Sequence, residues 1–230
     1  MKRLAACILA CMMILGAQAA LAGSEISDVA FDMASAYLAG VDFTYPVVDM
    51  GDDTQSDALN SRIEADALAP FAQWSEGGTA EGGLIYIHRE GDILSLGYQV
   101  EMVSPQAAYP VMLFYAGVYD VKTAAPVSLG DFADAGKIAA LLAGGAGLAP
   151  GLDLSEEAVF DAQVEYVAGL GQDAVLKMLE NEGYAQGQDP SLSQAFFLLG
   201  AEDELYVALS VPHAIGDWAV FLLSKAELAK

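Results

Sequence analysis

Hydrophobic and polar positions alternate with the period of a β-strand in several parts of this chain. In "VDFTYPVV" (residues 41–48), the larger apolar residues stand at every second position. Three further stretches, rich in β-branched and aromatic residues, follow with short gaps between them: "GGLIYIHRE" (82–90), "DILSLGYQVEMV" (92–103) and "AYPVMLFYAGVYDV" (108–121). Strands joined by such short connections pair antiparallel, so this part of the chain predicts a sheet.

Two details of these strands carry structural expectations. Pro46 has no backbone N–H to donate, which predicts that its strand lies at a sheet edge or contains a bulge. In the strand at residues 92–103, Ser95 and Gly97 share one face, whereas Leu94, Leu96 and Tyr98 share the other. The first face is therefore expected to be wetter or covered by a helix, and the second to be buried.

The helical period appears in three other regions. A partial apolar face before Gly40 predicts an N-terminal helix over residues 23–40. A second helix is predicted to start at Asp53 or Thr54 and to end at Pro70, because Leu59, Ile63 and Ala67 recur every four residues. Residues 131–145 predict a short helix, and residues 154–184 predict two helices that are split by glycines at 169–171.

The chain then returns to strand-like segments, "AFFLLG", "ELYVALSV" and "WAVFLL". Strands, then helices, then strands again predict an α+β fold, with an antiparallel sheet packed against helices. The expected organisation is one α+β domain over residues 23–230. It comprises the N-terminal helix 23–40, a first sheet segment 41–132, a helical segment 133–183 and closing strands 184–230.

The first 22 residues have the pattern of a secretory signal peptide. Lys2 and Arg3 precede an apolar run, and Ala20-Leu21-Ala22 forms a cleavage site. Cleavage near Ala22 predicts a periplasmic or extracellular protein with no membrane anchor. Lipid attachment is not favoured, because Cys7 and Cys11 stand too close to the start for a full apolar region to precede them.

The net negative charge of the chain limits the kinds of macromolecule that it can bind. Cleavage removes both cysteines and two basic residues, so that seven basic residues remain against 32 acidic ones and the net charge falls from −23 to −25. Nucleic acid is excluded as a natural partner, because it is bound through clustered Lys and Arg. Anionic lipid surfaces are disfavoured for the same reason. The acidity either keeps an apolar-rich exported protein in solution or attracts a basic partner.

Residues with catalytic or metal-binding chemistry are few. His88 and His213 lack the spacing of metal-ligand motifs and would need carboxylates such as Glu90 or Asp217 beside them. No cysteine remains after cleavage, and no G-x-S-x-G motif is present. The acidic stretches 49–53 and 202–204 are expected to be solvated turns, with a weak calcium site as the alternative. We therefore predict no catalytic residue, no cofactor and no metal.

One segment resembles a known bacterial domain. "YDVKTAAPVSLGDF" (119–132) has an aromatic residue, Asp-hydrophobic-Lys-Thr and then Leu-x-Asp-Phe. Four other segments match the same domain, and all of them stand along the chain in the order that the domain has. They are "YPVV" (45–48), "LNSRIE" (59–64), "DILSLGYQVEM" (92–102) and the closing segment 205–228. Together they resemble an exported domain that forms the outer part of lysozyme-sensing anti-sigma factors and the non-catalytic N-terminal region of some peptidoglycan deacetylases. The resemblance spans residues 41–228.

The chain departs from this family at two points. Residues 105–109 replace a Gly-Gly-Ala-His-like stretch, so that a ligand bound through that loop is in doubt. Thr123-Ala124 replaces Thr-Gly, which predicts a turn that does not need the positive φ of glycine. The segment 119–132 is expected mainly to redirect the chain from sheet to helix.

The resemblance implies an exported, non-catalytic binding module of the cell envelope. Its ligand would be a wall polymer such as peptidoglycan or a protein, and a basic protein such as lysozyme would complement the acidity. The alternatives are an enzyme that acts on cell-wall glycan through carboxylates or a metal, and a structural envelope protein without a small ligand. The candidate binding residues are Tyr109, Tyr119, Asp120, Lys122, His213, Asp217 and Trp218.

Overall fold

The computed structural model describes residues 30–38, 40–71, 78–105, 108–152, 154–183, 194–201, 204–224 and 228. The predicted signal peptide and residues 23–29 lie outside this part of the chain. Within it the fold is α+β, as the sequence pattern predicts. The strands are β1 Ala30–Leu38, β2 Val41–Asp49, β3 Thr79–Glu90, β4 Ile93–Val103, β5 Val111–Asp120, β6 Ala125–Pro126, β7 Ala149–Pro150, β8 Ala195–Leu199, β9 Glu204–Ser210 and β10 Trp218–Ser224. The helices are α1 Asp53–Leu68, α2 Ala135–Gly144, α3 Glu157–Leu170 and α4 Gln172–Glu180.

The strands form two sheets. The large sheet has the order β1-β2-β3-β4-β5-β6, and the small sheet has the order β7-β10-β9-β8. The β3–β4 hairpin turns through Gly91, whose φ of +59° suits a two-residue turn, and β4–β5 is antiparallel as expected. The large sheet is nevertheless mixed, because β2 and β3 run parallel. Helix α1 connects these two strands and provides the crossover that a parallel pair requires.

The first described element corrects the prediction of an N-terminal helix over 23–40. Ala30–Leu38 is a strand that pairs with β2 through nine consecutive residues. Gly40, at φ +81°, turns the chain between the two strands instead of ending a helix. The segment's helical face was only partial, and pairing with β2 supplies backbone partners that outweigh the helix propensity of its alanines and Met33.

Pro46 lies in β2, which has β1 on one side and β3 on the other, but at Pro46 itself only β1 is paired with the strand. Strand β3 pairs with Val41–Thr44 of β2 and with no later residue of that strand. At Pro46 the strand pairs with Met33 of β1 alone. Two residues later, Val48 directs its N–H and its carbonyl to the side chain of Asn60, away from β1. Because these directions repeat every second residue, the nitrogen of Pro46 also faces away from β1, and its missing N–H interrupts no ladder.

Helix α1 covers one face of the large sheet. Its N-cap, Asp52, accepts the N–H of Gln55 at 2.9 Å. Its apolar stripe packs on a cluster of stacked and tilted aromatic rings that includes Phe43, Tyr98 and Tyr115. Tyr115 donates its hydroxyl to the carbonyl of Ala67 at 2.8 Å, which ties the end of the helix to the sheet. The stripe consists of Leu59, Ile63 and Ala67.

The small sheet covers the other face of the large sheet. Tyr86 donates to the carbonyl of Leu199 at 3.0 Å, and the hydroxyl of Ser95 accepts the Leu199 N–H at 3.0 Å. A Cβ at Gly97 would lie only 3.0 Å from Leu198, so the glycine permits the close approach of the sheets. The face of β4 with Ser95 and Gly97 is thus buried against strands, where the sequence predicts solvent or a helix.

Helices α2, α3 and α4 pack on the outer face of the small sheet and complete a four-layer arrangement of helix, sheet, sheet and helices. Phe160 of α3 meets Phe221 of β10 with ring centroids 5.7 Å apart. Gly171 separates α3 from α4 at φ +79°, which confirms the predicted split. None of the described helices is long and apolar enough to cross a membrane.

Candidate functional site

Four of the predicted binding residues meet at one corner of the molecule. His213, Asp217 and Trp218 belong to the connection between β9 and β10, and Tyr109 lies just before β5. The rings of Tyr109 and His213 are stacked, with centroids 5.7 Å apart and an interplanar angle of 26°. Tyr109 is 67% exposed. We call Tyr109, His213 and Asp217 the aromatic corner.

Asp217 holds the aromatic corner together. Both of its carboxylate oxygens lie 3.1 Å from Nδ1 of His213. One of them, Oδ2, also accepts the backbone N–H of Met112 in β5 at 2.8 Å. Because a carboxylate oxygen without a proton only accepts hydrogen bonds, Nδ1 of His213 is the donor in this contact, and Nε2 lies outside it.

A buried glutamine shapes the turn that carries His213. Gln163 of α3 is fully buried, and its Nε2 donates to the carbonyls of Ile215 at 2.7 Å and Trp218 at 3.1 Å. Its Oε1 accepts the hydroxyl of Ser155 at 3.2 Å. The turn passes through Gly216 at φ +106° and Asp217 at φ +67°. Sequence reasoning missed Gln163, since a polar residue on a helix gives no sign of which turn it supports.

The Trp218 side chain packs between the two sheets and does not form the exposed surface of the aromatic corner. Its ring packs against Phe114 of the large sheet and Phe196 of the small sheet, at centroid distances of 6.1 and 5.5 Å. Rings packed in this way resist displacement. Trp218, which directly follows Asp217, is therefore held firmly in the packing between the two sheets.

A groove begins on the α3 side of the same turn. It is open and shallow, has a volume of about 540 Å³ and is lined mainly by apolar and aromatic groups, among them Tyr166, Leu170, Pro212 and Ile215. Glu165 adds a carboxylate at its rim. Pro212 immediately precedes His213, so the groove and the aromatic corner border the same turn.

The other three predicted residues lie elsewhere. Tyr119 is completely buried, and its hydroxyl donates to Asp66 of α1 at 3.2 Å, so the side chain belongs to the core. Lys122 forms an ion pair with Asp92 across the turns that follow β3 and β5. The structure therefore does not bring these residues to the aromatic corner.

Asp120 organises the turn after β5. Its Oδ1 accepts the backbone N–H groups of Lys122 and Thr123, each at 2.9 Å, and the Thr123 hydroxyl at 3.0 Å. These hydrogen bonds, with the Thr123 N–H first, lower the pKa of Asp120. The carboxylate is used to redirect the chain. Ala124 has φ +55°, so the expectation that this turn needs no positive φ is wrong.

The structure also shows the surroundings of the residues that the sequence offered as possible metal ligands. Asp49 accepts the N–H of Gly51 and Asp52 caps α1, so both carboxylates serve the local backbone. His88 is buried between the sheets, and its Nε2 has no hydrogen-bond partner among the described residues. Over the same residues, no group of three or more His, Cys, Asp or Glu side chains is arranged to hold a metal ion.

Comparison with known proteins gives likeness to solved structures only. No protein-family model matches the chain, and no curated protein matches it. A DUF3298 family protein from Bacteroides fragilis is 14% identical, with 88% of this chain and 91% of that chain covered and a TM-score of 0.38. A DUF3298 family protein from Pseudomonas aeruginosa is 11% identical over the same shares, with a TM-score of 0.42. The shared name denotes a domain of unknown function, and likenesses this low carry no argument about the site.

Proposed function

We propose that this protein is an exported, non-catalytic binding module of the cell envelope and that its ligand is a basic protein of the lysozyme kind. The observation that carries the proposal is that most of the described basic side chains are bonded to acceptors within the protein. Four of the five Lys and Arg residues in the described part of the chain are already held by acceptors of their own chain. They are Arg62 with Asp66, Arg89 with the Gly91 carbonyl, Lys122 with Asp92, and Lys137 with the Leu228 carbonyl.

Among the described residues, few cations are therefore left to neutralise the other carboxylates. Acidic residues outnumber basic ones by 32 to nine in the whole chain. Surface charge of one sign raises the rate of encounter with an oppositely charged partner and suppresses association with like-charged ones. A basic protein gains from this field, whereas anionic polymers and lipids are repelled.

The aromatic corner supplies a contact of the matching chemistry. The exposed ring of Tyr109 is held in place by its stack on His213. Lys and Arg head groups bind the faces of such rings, and tyrosine is enriched where proteins meet. Because Asp217 holds His213 and His213 stacks on Tyr109, little conformational entropy is lost when a partner binds the corner.

One observation supports the enzyme alternative. Because Asp217 pairs with Nδ1 of His213, Nε2 is the ring nitrogen left to act as a base, and Pro212, the residue before His213, lines an apolar groove. No described Ser or Thr hydroxyl is hydrogen-bonded to that ring, so a base is present without a nucleophile in contact. Release of muropeptides from cell walls would favour this alternative.

A binding experiment separates these functions. The protein, purified from cells that express the full chain, is immobilised and exposed to lysozyme, to lysozyme with acetylated lysines, and to cell-wall sacculi. We expect lysozyme to bind at low salt and to be released as the Debye length falls from ~30 Å to ~3 Å between 0.01 and 1 M salt. The acetylated form, with the same fold and fewer positive charges, should bind much more weakly.

Four results would contradict the proposal. Equal binding of native and acetylated lysozyme would exclude recognition by charge. Salt-independent binding to sacculi would identify a wall polymer as the ligand, and release of muropeptides would identify an enzyme. Binding to none of these would favour a structural envelope protein.

A further inference from the structure

Three carboxylates lie side by side at one end of the large sheet. Asp42 of β2 is the direct register partner of Glu81 in β3, and Glu81 is the direct partner of Glu101 in β4. Neighbouring strands are about 4.8 Å apart, so the three residues form a line across the sheet. All three are exposed. We call Asp42, Glu81 and Glu101 the acidic row.

The acidic row lies on the sheet face that the small sheet covers only in part. Gly97 of β4 lies against Leu198 of the small sheet. Because every second side chain of a strand points to the same face, Gln99 and Glu101 lie on the same face as Gly97. Next to the row, Val103 of β4 is 40% exposed and Tyr37 of β1 is 76% exposed. This end of the face thus has no covering element among the described residues.

The uncovered face is concave and carries both apolar and acidic groups. Tyr37, Val103 and the acidic row line a depression of about 340 Å³. Tyr37 is the register partner of Asp42, so an exposed ring ends the row on the β1 side. No Lys or Arg side chain lines the depression in the part of the chain that the structure describes.

Such a row destabilises the free protein. Like charges directly opposite each other on neighbouring strands cost roughly 0.2–1 kcal/mol per pair. The acidic row contains two such pairs, and no described cation offsets them. A cationic group that binds between these carboxylates therefore relieves repulsion in addition to forming new ion pairs, which gives a charged partner a differential advantage at this position.

The acidic row continues into the aromatic corner. Glu101 is the register partner of Met112 in β5, and the N–H of Met112 donates to Asp217. From Asp217 the line passes through His213 to Tyr109. The row and the corner together form a band: from Tyr37 to Met112 the line spans roughly 19 Å across five strands, and the aromatic corner extends it beyond β5, so that an exposed tyrosine stands at each end.

We infer that this band is the docking surface for a segment of the basic partner that carries several Lys or Arg side chains. The inference rests on the proposed function and names its contact surface. Because the strands hold the carboxylates in a line and not around a point, they suit several separate cations better than one metal ion. Tyr37 and Tyr109 would take the head groups or the aliphatic stems of the outermost basic side chains.

A double substitution tests the surface. Glu81→Gln with Glu101→Gln removes two charges from the row, and Glu157→Gln with Glu180→Gln removes two exposed charges from α3 and α4 as a matched control. Affinity for lysozyme is measured by calorimetry at low salt. We expect the row variant to bind about tenfold more weakly or worse, and the control to stay within about twofold of the unaltered protein.

Thermal unfolding guards against a misfolded variant. Because repulsion within the row is relieved, Glu81→Gln with Glu101→Gln should melt at or above the temperature of the unaltered protein. Heptalysine, run in parallel, is a cationic probe without the lysozyme fold. Its binding should weaken in the row variant as well.

The outcomes separate the two proposals. Equal lysozyme affinity in the row variant and the control would overturn the docking surface and leave the proposed function intact. If the unaltered protein binds heptalysine through the row but does not bind lysozyme, the surface stands and the lysozyme-like partner is wrong. Failure to bind either probe would overturn both.

Discussion

The carboxylate of Glu182 accepts the backbone N–H of Leu129, with its two oxygens 3.2 and 3.1 Å from that nitrogen. Glu182 follows α4 and is only 8% exposed, and Leu129 begins the turn that leads from the large sheet to α2. Burial raises the pKa of Glu182 to about 7, with the Leu129 N–H opposing the shift and Asp131 adding to it. The contact therefore links the turn to the helical layer through a group that titrates near neutral pH.

Stability should fall as this group loses its proton. The pKa of Glu182 is higher in the folded protein than its ordinary value of 4.5, so the folded state binds the proton more tightly. Its contribution is fully present below pH 4.5 and is lost as pH rises to about 7. Relative to the unaltered protein, Glu182→Gln should gain about 3 kcal/mol of unfolding free energy between these two pH values.

Denaturant unfolding at several pH values checks this prediction. Glu180→Gln, an exposed change two residues earlier, is the control. The difference between each variant and the unaltered protein cancels the titration of the other carboxylates. A Glu182→Gln difference that stays constant with pH would contradict the assignment.

Removing the hydroxyl from each of two stacked tyrosines should change the stability of the protein in opposite directions. Tyr98 and Tyr115 are both fully buried, with ring centroids 5.0 Å apart. The hydroxyl of Tyr98 has no partner among the described residues, whereas that of Tyr115 donates to Ala67. Tyr98→Phe should stabilise the protein by about 1 kcal/mol, and Tyr115→Phe should destabilise it by a similar amount. Chemical denaturation measures both, and a loss of stability in Tyr98→Phe would show that its hydroxyl has a partner.

The left-handed conformation of Ala124 predicts a stabilising glycine. A non-glycine residue at φ +55° is strained by roughly 1–2 kcal/mol, and glycine loses part of this gain through its extra unfolded-state entropy. Ala124→Gly should therefore raise the unfolding free energy by about 0.5–1 kcal/mol. Ala125→Gly, one residue later in β6, should lower it by a similar amount. Equal effects at the two positions would show that backbone strain is not the cause.

Asp217 should control both the stability and the tautomer of the aromatic corner. Asp217→Ala removes the acceptor for Met112 and for His213, at a cost of about 1 kcal/mol for the partly buried N–H of Met112. Asp217→Asn keeps an acceptor and tolerates positive φ, so it should lose much less. Nitrogen NMR of the imidazole reports the proton position. In the unaltered protein we expect it on Nδ1, and in Asp217→Ala a mixture of tautomers.

The elements that depend on local pattern were predicted best. The β3–β4 and β4–β5 pairings, the break at Gly171 and the closing strands all follow from residues close together in the chain. The segment before Gly40 was predicted wrongly, because its apolar residues fit a helix almost as well as a strand. Its partner, β2, decides between them, and propensity is a weak guide where tertiary pairing is available.

The candidate site shows the same division. Tyr109, His213, Asp217 and Trp218 were all named from the chain, but their contact joins loops about 100 residues apart. Tyr119 was placed in the same set, although its ring belongs to the core. An aromatic residue has the same composition signal whether it faces solvent or the interior, so burial cannot be assigned from its identity alone. Gln163 and the acidic row gave no local signal at all.

By itself, the sequence determined the acidity of the chain, the order of most strands and helices, and the residues available for contact with a partner. These properties depend on composition and on periods of two to four residues. Only the tertiary structure decided that two sheets stack against each other and that Asp42, Glu81 and Glu101 share one register. It also decided that Met112, the register partner of Glu101, donates its N–H to Asp217. Register and stacking are set by which strands pair across long stretches of chain, and that choice is made by the energy of the whole packed fold.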